Sequence, residues 1–219
     1  MKRTLELLAV LVLLAFFAAA CEPLETSMIS TPSEQVSLPD AMDQAPVAVE
    51  MEGTGSASGA SVHMRIRRLV PEDIAITVPP GLTALNSNAS QQDMVVRRSY
   101  DPVLLTDDDW HEFVLEAYCL EAHRDNPSDG ASLSVGATAE EDVLAVLLAI
   151  EQVPDAEGEI EVIQAAIWAI TDNISKIELD EVGYELDSGD IETTRTLLEA
   201  ASLDPSGYRL FRGFLVPLP

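Results

Sequence analysis

The hydrophobic pattern of this chain changes its period halfway along, and that change constrains the fold more than any other feature. Apolar and polar residues alternate over 62–67 and again over 74–78, which is the pattern of half-buried strands. The later segments 139–152, 159–171 and 191–201 are instead rich in aliphatic residues at helical spacing. A group of strands followed by a group of helices predicts an α+β protein.

The strands are short and are separated by turn signals, so we expect an antiparallel β-sandwich or barrel with an inserted helical pair. Further strands are predicted over 94–97, 103–105 and 112–120. The helical pair is expected after the strand that carries Cys119, and the tail over 208–216 is expected to return as a strand.

Residues 1–20 have the organisation of a secretory signal peptide. Lys2 and Arg3 supply the positive end, 5–17 is almost entirely apolar, and three alanines follow. The apolar run is too short for a comfortable membrane span. Cys21 comes directly after the alanines, an arrangement that resembles the lipobox of bacterial lipoproteins. This resemblance implies a lipidated Cys21 and a secreted protein that is anchored by lipid to the outside of a cell membrane.

Composition divides the remaining chain into a linker and one domain. Residues 21–60, which begin at the lipidated Cys21, are rich in Ser, Thr, Pro, Glu, Gly and Ala, lack apolar periodicity and predict a disordered linker. Residues 61–219 have the length of a single domain. If Cys21 carries lipid, Cys119 has no partner within the chain. It is then a reactive group, an intermolecular bridge or a buried inert thiol.

The chain is strongly acidic, with 38 Asp and Glu residues against 12 Lys and Arg residues and a formal net charge of −26. Such a surface repels nucleic acid and anionic lipid headgroups, so neither is an expected partner. The composition fits a soluble monomer. Lys176 is the only lysine after Lys2, which limits reaction of the chain with its own amines.

Cys119 and Gln164 are the candidate reactive pair. The period of two over 112–120 turns Cys119 toward the core, and helical spacing puts Gln164 on a largely apolar stripe with Trp168. A thiol and a carboxamide held together condense into an internal thioester with release of ammonia, and proximity supplies an effective molarity of roughly 10⁵ M or more. Trp168 is a candidate wall of the site, as is Tyr118 beside the cysteine.

Two short motifs resemble those of the bacterial surface thioester domains. Residues 118–121 (Tyr-Cys-Leu-Glu) resemble the aromatic–Cys–apolar–polar motif of that family. Residues 163–168 resemble its apolar–Gln–x–x–apolar motif and are similar to its Thr-Gln-x-Ala signature, with Ile163 in the place of Thr. The resemblance implies a β-barrel or sandwich with a helical insertion, in which Cys119 supplies the thiol and Gln164 the acyl group of a thioester that captures amines.

The expected function is that of a cell-surface lipoprotein whose thioester captures an amine on a partner, such as a surface protein, in adhesion or attachment. The reaction is a single self-modification and not enzymatic turnover, and no cofactor or metal is expected. The alternative is a non-covalent extracytoplasmic binding or structural lipoprotein with the same fold and no thioester.

Two further patterns point to sites of a different kind. Cys119 and His123 have the residue types of a nucleophile and its base, but a strand that ends in a loop does not bring positions four apart together. The three carboxylates over 107–109 lack the spacing of a calcium loop, so a solvated turn is the better interpretation.

Overall fold

Six antiparallel strands close into a barrel in the structure, which is a computed structural model of the chain. The structure describes residues 35–44, 46–98 and 101–212. The strands are β1 (Gln35–Ser37), β2 (Val47–Thr54), β3 (Ser58–Arg68), β4 (Ile74–Thr77), β5 (Leu82–Asn86), β6 (Met94–Val96), β7 (Val103–Leu105), β8 (His111–Cys119) and β9 (Asp129–Thr138). The barrel order is β2-β3-β8-β6-β5-β9.

The remaining three strands form a second, small sheet. β1 pairs in parallel with β4, and β4 pairs antiparallel with β7. Strands and helices together make the protein α+β with mostly antiparallel strands, as the hydrophobic periods predict, and of the two expected architectures the structure has the barrel.

The alternation in β3 decides which side chains fill the barrel. Val62 and Met64 are at most 1% exposed, and Val62 lies opposite the buried Leu115 of β8. His63 points the other way and lies opposite the exposed Val114. The period of two therefore separates a buried inner face from an outer face, as predicted for this strand.

Within the described residues five helices accompany the strands, and four of them follow β9. The three helices predicted over 139–152, 159–171 and 191–201 are confirmed, the first of them continuing into a 3₁₀ turn at Ile150–Gln152. The second of these three helices lies against the other two and against β8 and β3. The helices are α1 (Leu38–Asp43), α2 (Glu141–Ala149), α3 (Ile160–Thr171), α4 (Lys176–Glu181) and α5 (Ser188–Ala200).

The helices are not inserted directly after the Cys119 strand, because β9 comes between them. β9 escapes a prediction from sequence since its residues are mostly small and exposed, with Leu133 as its buried side chain. The strand predicted over 208–216 is also wrong as far as residue 212, where the chain forms a 3₁₀ turn at Arg209–Phe211. The remainder of that prediction lies outside the described residues.

The linker predicted over 21–60 is wrong from residue 35 onward. β1, α1, β2 and the first residues of β3 all lie there, and Val47 and Met51 of β2 are buried in the core. Polar and small residues separate the apolar ones in β2, so its composition resembles that of a disordered segment although its alternate side chains are buried. The folded unit therefore includes residues from Gln35 onward and does not begin at Ser61.

The predicted signal peptide over 1–20, the lipidated Cys21 and the start of the linker lie outside the described residues. In the part of the chain that the structure describes, none of the helices is long and apolar enough to cross a membrane.

Candidate functional site

Strand β8 ends at Cys119 and buries it completely. The side chain is 0% exposed, and the residue lies opposite Met94 of β6 in the barrel register. Its main-chain N–H donates to the carbonyl of Ala57 at 3.1 Å. The inward direction predicted from the period of β8 is confirmed.

Helix α3 carries Gln164 and is buried on every side over 162–169. Small and aliphatic side chains let it lie between α2, α5 and the barrel, and Glu161 in its first turn suits the positive end of the helix dipole. Asn173, just past its end, adopts a left-handed φ of 49°, which asparagine tolerates. Gln164 is the only amide in the buried stretch, so its polar atoms need partners.

The Gln164 carboxamide forms two hydrogen bonds with the main chain of Cys119. Oε1 accepts from the Cys119 N–H at 3.0 Å, and Nε2 donates to the Cys119 carbonyl at 2.7 Å. The opposite orientation of the amide would set donor against donor and acceptor against acceptor, so the contacts themselves assign it. The carboxamide engages β8 as a peptide group of a neighbouring strand would.

This contact brings together the two residues that the sequence pairs, which are 45 positions apart. Cys119 Sγ is two bonds from Cα, the atom that joins the hydrogen-bonded N–H to the hydrogen-bonded carbonyl. Gln164 Cδ carries both atoms that complete those hydrogen bonds. The carboxamide is thereby held against the main chain of the cysteine, in a site without solvent exposure.

Burial controls the acidity of the thiol. Desolvation raises the pKa of Cys119 far above its ordinary value, and the negative charge of Glu121 raises it further. Burial also raises the pKa of Glu121, although the Asp93 N–H that donates to its carboxylate opposes the shift. The site therefore holds a neutral thiol, and a reaction at sulfur must transfer the proton in the same step.

Two aromatic residues meet one helical turn beyond Gln164. Trp168 lies one turn beyond Gln164, is 1% exposed, and meets Tyr184 edge-on with 5.0 Å between the ring centroids. The Tyr184 hydroxyl is 3.4 Å from Ser58 Oγ. Trp168 Nε1 is buried and lacks a hydrogen-bond partner within the described residues. Sequence reasoning missed Tyr184, because its position after Gly183 marks a helix end but gives no hint of what the ring contacts.

The prediction that Tyr118 forms a wall of the pair is wrong. Tyr118 is buried on the opposite face of β8, where its hydroxyl donates to Glu116 Oε1 at 3.1 Å. Glu116 also pairs with the guanidinium groups of Arg97 and Arg98. Burial and the Glu116 charge raise the pKa of Tyr118, so the residue belongs to a charged cluster beside the site and not to the site itself.

The other candidate patterns do not form sites. His123 is exposed, whereas Cys119 is buried, so no nucleophile–base pair joins them. Asp107 accepts the N–H of Asp109 and pairs with His111, which forms the predicted solvated turn, and these contacts lower the pKa of Asp107. Across residues 35–44, 46–98 and 101–212, no cluster of three or more His, Cys, Asp or Glu side chains is arranged to hold a metal ion.

Comparison of the chain with protein-family models, with curated proteins and with solved structures finds no match.

Proposed function

We propose that this chain forms an internal thioester between Cys119 Sγ and Gln164 Cδ and uses it to capture an amine on a partner covalently. The observation that carries the proposal is the pair of hydrogen bonds between the Gln164 carboxamide and the Cys119 main chain in a fully buried site. Both residues belong to the motifs that resemble those of thioester domains. A pair held in this way needs no encounter step before it reacts.

Formation of the bond consumes no outside reagent. Cys119 Sγ attacks Gln164 Cδ, the thiol proton passes to Nε2, the C–N bond breaks and ammonia leaves. Negative charge develops on Oε1 during the attack, and the Cys119 N–H already donates to that atom at 3.0 Å. A donor in place before the reaction stabilises the developing charge without reorganisation.

Capture reverses the roles of the two side chains. A primary amine attacks the thioester carbonyl, the C–S bond breaks, and one amine proton passes to sulfur. The products are an amide linkage at Gln164 and a free Cys119 thiol, so each chain reacts once. Lys176 of the same chain is paired with Asp180 within α4, which restrains its amine from acting as the nucleophile.

The proposed location belongs to the same function. Lipidation of Cys21 after removal of residues 1–20 would display the folded unit outside a cell membrane, where an amine-bearing surface protein is the partner for attachment. Metabolic labelling with a clickable fatty acid tests this step. Incorporation that is lost in Cys21→Ala supports it, and equal incorporation by both proteins argues against it.

Intact mass spectrometry of the full chain tests the thioester. We expect a mass one ammonia below that of the sequence, an adduct at Gln164 after methylamine treatment, and neither feature in Cys119→Ala. The conservative Cys119→Ser variant serves as a second control, since a hydroxyl is a weaker nucleophile. An unmodified mass that methylamine leaves unchanged contradicts the proposal.

One observation favours a second candidate, a non-covalent extracytoplasmic binding or structural lipoprotein. Both polar atoms of the Gln164 amide already have partners, so the contact also suits a permanent clamp between α3 and β8. In that case Cys119 titrates as one free thiol on unfolding without any amine. A thiol that is blocked until methylamine is added excludes this candidate.

A further inference from the structure

Tyr184 lies outside both sequence motifs, yet it contacts the elements beside each member of the pair. Its hydroxyl is 3.4 Å from the Oγ of Ser58, and Ser58 begins β3, the strand paired with β8. Its ring meets Trp168 at an interplanar angle of 75°, and Trp168 lies one turn beyond Gln164. A single side chain therefore bridges β3 and α3 next to the reactive residues.

The main chain of Tyr184 is fixed by the end of α4. The N–H of Gly183 donates to the Asp180 carbonyl at 3.1 Å, and the N–H of Tyr184 donates to the Leu179 carbonyl at 2.9 Å. Gly183 has a φ of 89°, which completes the Schellman arrangement that ends many helices. Because the main chain is held, the ring can leave its position only by rotation of the side chain.

The ring is the partly exposed member of this group. Cys119 and Gln164 are 0% exposed and Trp168 is 1% exposed, whereas Tyr184 is half-buried. Burial raises the pKa of Tyr184, and the hydrogen bond with Ser58 opposes the shift. The phenol therefore stays neutral, with one long hydrogen bond to Ser58 holding its hydroxyl.

We propose that Tyr184 determines which nucleophiles reach the Cys119–Gln164 pair. On this proposal the ring, held against Trp168 and Ser58, covers the pair, and rotation about its Cα–Cβ bond opens a path beside Trp168. Partly exposed side chains change rotamer within nanoseconds, so small unbranched amines enter during brief openings while bulky amines do not. The inference rests on the proposed thioester for the identity of the reacting group, but the cover itself can be measured on a free thiol as well.

The test compares full-length wild type with Tyr184→Phe and Tyr184→Ala. The rate is that of methylamine addition at Gln164 or, for protein with a free thiol, of iodoacetamide addition at Cys119, with peptide mapping to separate Cys21. We expect Tyr184→Ala to react at least about tenfold faster, because the closed state no longer protects the pair. Tyr184→Phe keeps the ring and loses only the Ser58 contact, so its rate should rise less than about threefold.

A second measurement, the dependence of the reaction rate on the size of the reagent, distinguishes easier access to the pair from a general loss of packing. For wild type the rate should fall steeply from methylamine to benzylamine, or from iodoacetamide to a bulky maleimide, and Tyr184→Ala should flatten that dependence. Tyr208→Ala is the matched control, since Tyr208 is also half-buried and its main-chain hydrogen bonds stay within its own turn. It should change neither the rate nor the size dependence.

The outcomes distinguish the two proposals. An ammonia loss in every variant, with the same rates and size dependence for Tyr184→Ala as for wild type, overturns the role of Tyr184 and leaves the thioester standing. No ammonia loss, with faster alkylation of Cys119 in Tyr184→Ala, supports the role of Tyr184 and overturns the thioester. Should Tyr184→Ala not fold, Tyr184→Leu keeps an apolar side chain of smaller size, and a wild-type size dependence in that variant contradicts the inference.

Discussion

At the scale of single residues, the site depends on the hydrogen bonds that the Gln164 side chain forms with the main chain of Cys119. Gln164 is held by the N–H and the carbonyl of Cys119. The position of the carboxamide relative to β8 is therefore set by backbone geometry, which varies less than rotamers do. The Cys119 side chain branches from the same backbone, so the main chain at Cys119 sets the positions of both the thiol and the carboxamide.

Truncation of Gln164 should destabilise the fold measurably. Gln164→Ala removes two buried hydrogen bonds and leaves a small cavity, so we expect the free energy of unfolding to fall by about 1–3 kcal/mol in urea titration. Gln152→Ala is the control, because Gln152 is an exposed amide and should change stability by less than about 0.5 kcal/mol. Equal effects of the two substitutions would show that the buried amide of Gln164 contributes no more to stability than the exposed amide of Gln152.

The free-thiol form should lose stability at alkaline pH through Cys119. Its pKa in the folded protein is raised, so the contribution is complete below the unfolded value of about 8.5 and declines above it, where only the unfolded chain releases the proton. The expected slope relative to Cys119→Ala is about 1.4 kcal/mol per pH unit between pH ~9 and ~10. Urea titrations at several pH values measure it, and parallel curves for the two proteins would contradict the burial argument. The thioester form has no thiol proton and should show no such difference.

At the scale of elements, α3 is tied to the barrel at both of its ends. Arg98 pairs with Glu116 of β8 and with Glu157, just before the helix. Asp172, just after it, accepts the N–H of Ala122 at 3.1 Å in the segment that follows β8. These contacts limit sliding of the helix along the strand, so Gln164 stays level with Cys119.

The close contact of β9 with β5 should not tolerate a methyl group at Gly136. A Cβ there would overlap Thr83 Oγ1 and lie 2.8 Å from Leu85 Cγ. Gly136→Ala is therefore expected to lower the free energy of unfolding by about 1–3 kcal/mol, the usual cost of overpacking. At Gly207 a Cβ meets nothing within 4 Å, so Gly207→Ala is the matched control in thermal or urea unfolding. If Gly136→Ala leaves the free energy of unfolding unchanged, β5 and β9 must shift locally to accommodate the methyl group.

At the scale of the whole molecule, the N-terminal boundary decides whether the barrel closes. β2 joins β3 to β9, so its removal opens the barrel and exposes two strand edges. A chain that starts at Ser61 should be unfolded or aggregated by circular dichroism and gel filtration, whereas a chain that starts at Ser33 should fold. A cooperative thermal transition in the Ser61 chain would show that β2 is dispensable.

The charge of the molecule should make its stability depend on salt. A net charge of −26 repels itself in the compact state, and about 1 M salt shortens the screening length to about 3 Å. The melting temperature is therefore expected to rise with NaCl, by about 2–4 °C for each kcal/mol regained. The rise should shrink near pH 4, where carboxylates begin to take up protons, and a fall in melting temperature with NaCl at neutral pH would contradict the repulsion argument.

Much of the fold follows from local pattern. The period of two in β3 and β8 and the helical spacing of 159–171 each predicted an element and its buried face, because side-chain direction repeats within one element. The same logic failed for β2 and β9 (strands of small or alternating polar residues), since their partners along the barrel and not their own composition make them strands.

The sequence by itself determined the α+β class, the inward direction of Cys119 and the placement of Gln164 on a buried helix, because each of these depends on neighbours within one element. Only the tertiary structure decided that the carboxamide binds the Cys119 main chain and that Tyr184 lies against Trp168. Those contacts join residues far apart in the chain, and a contact of that kind depends on how β8, α3 and α4 come together and not on the pattern within any one of them.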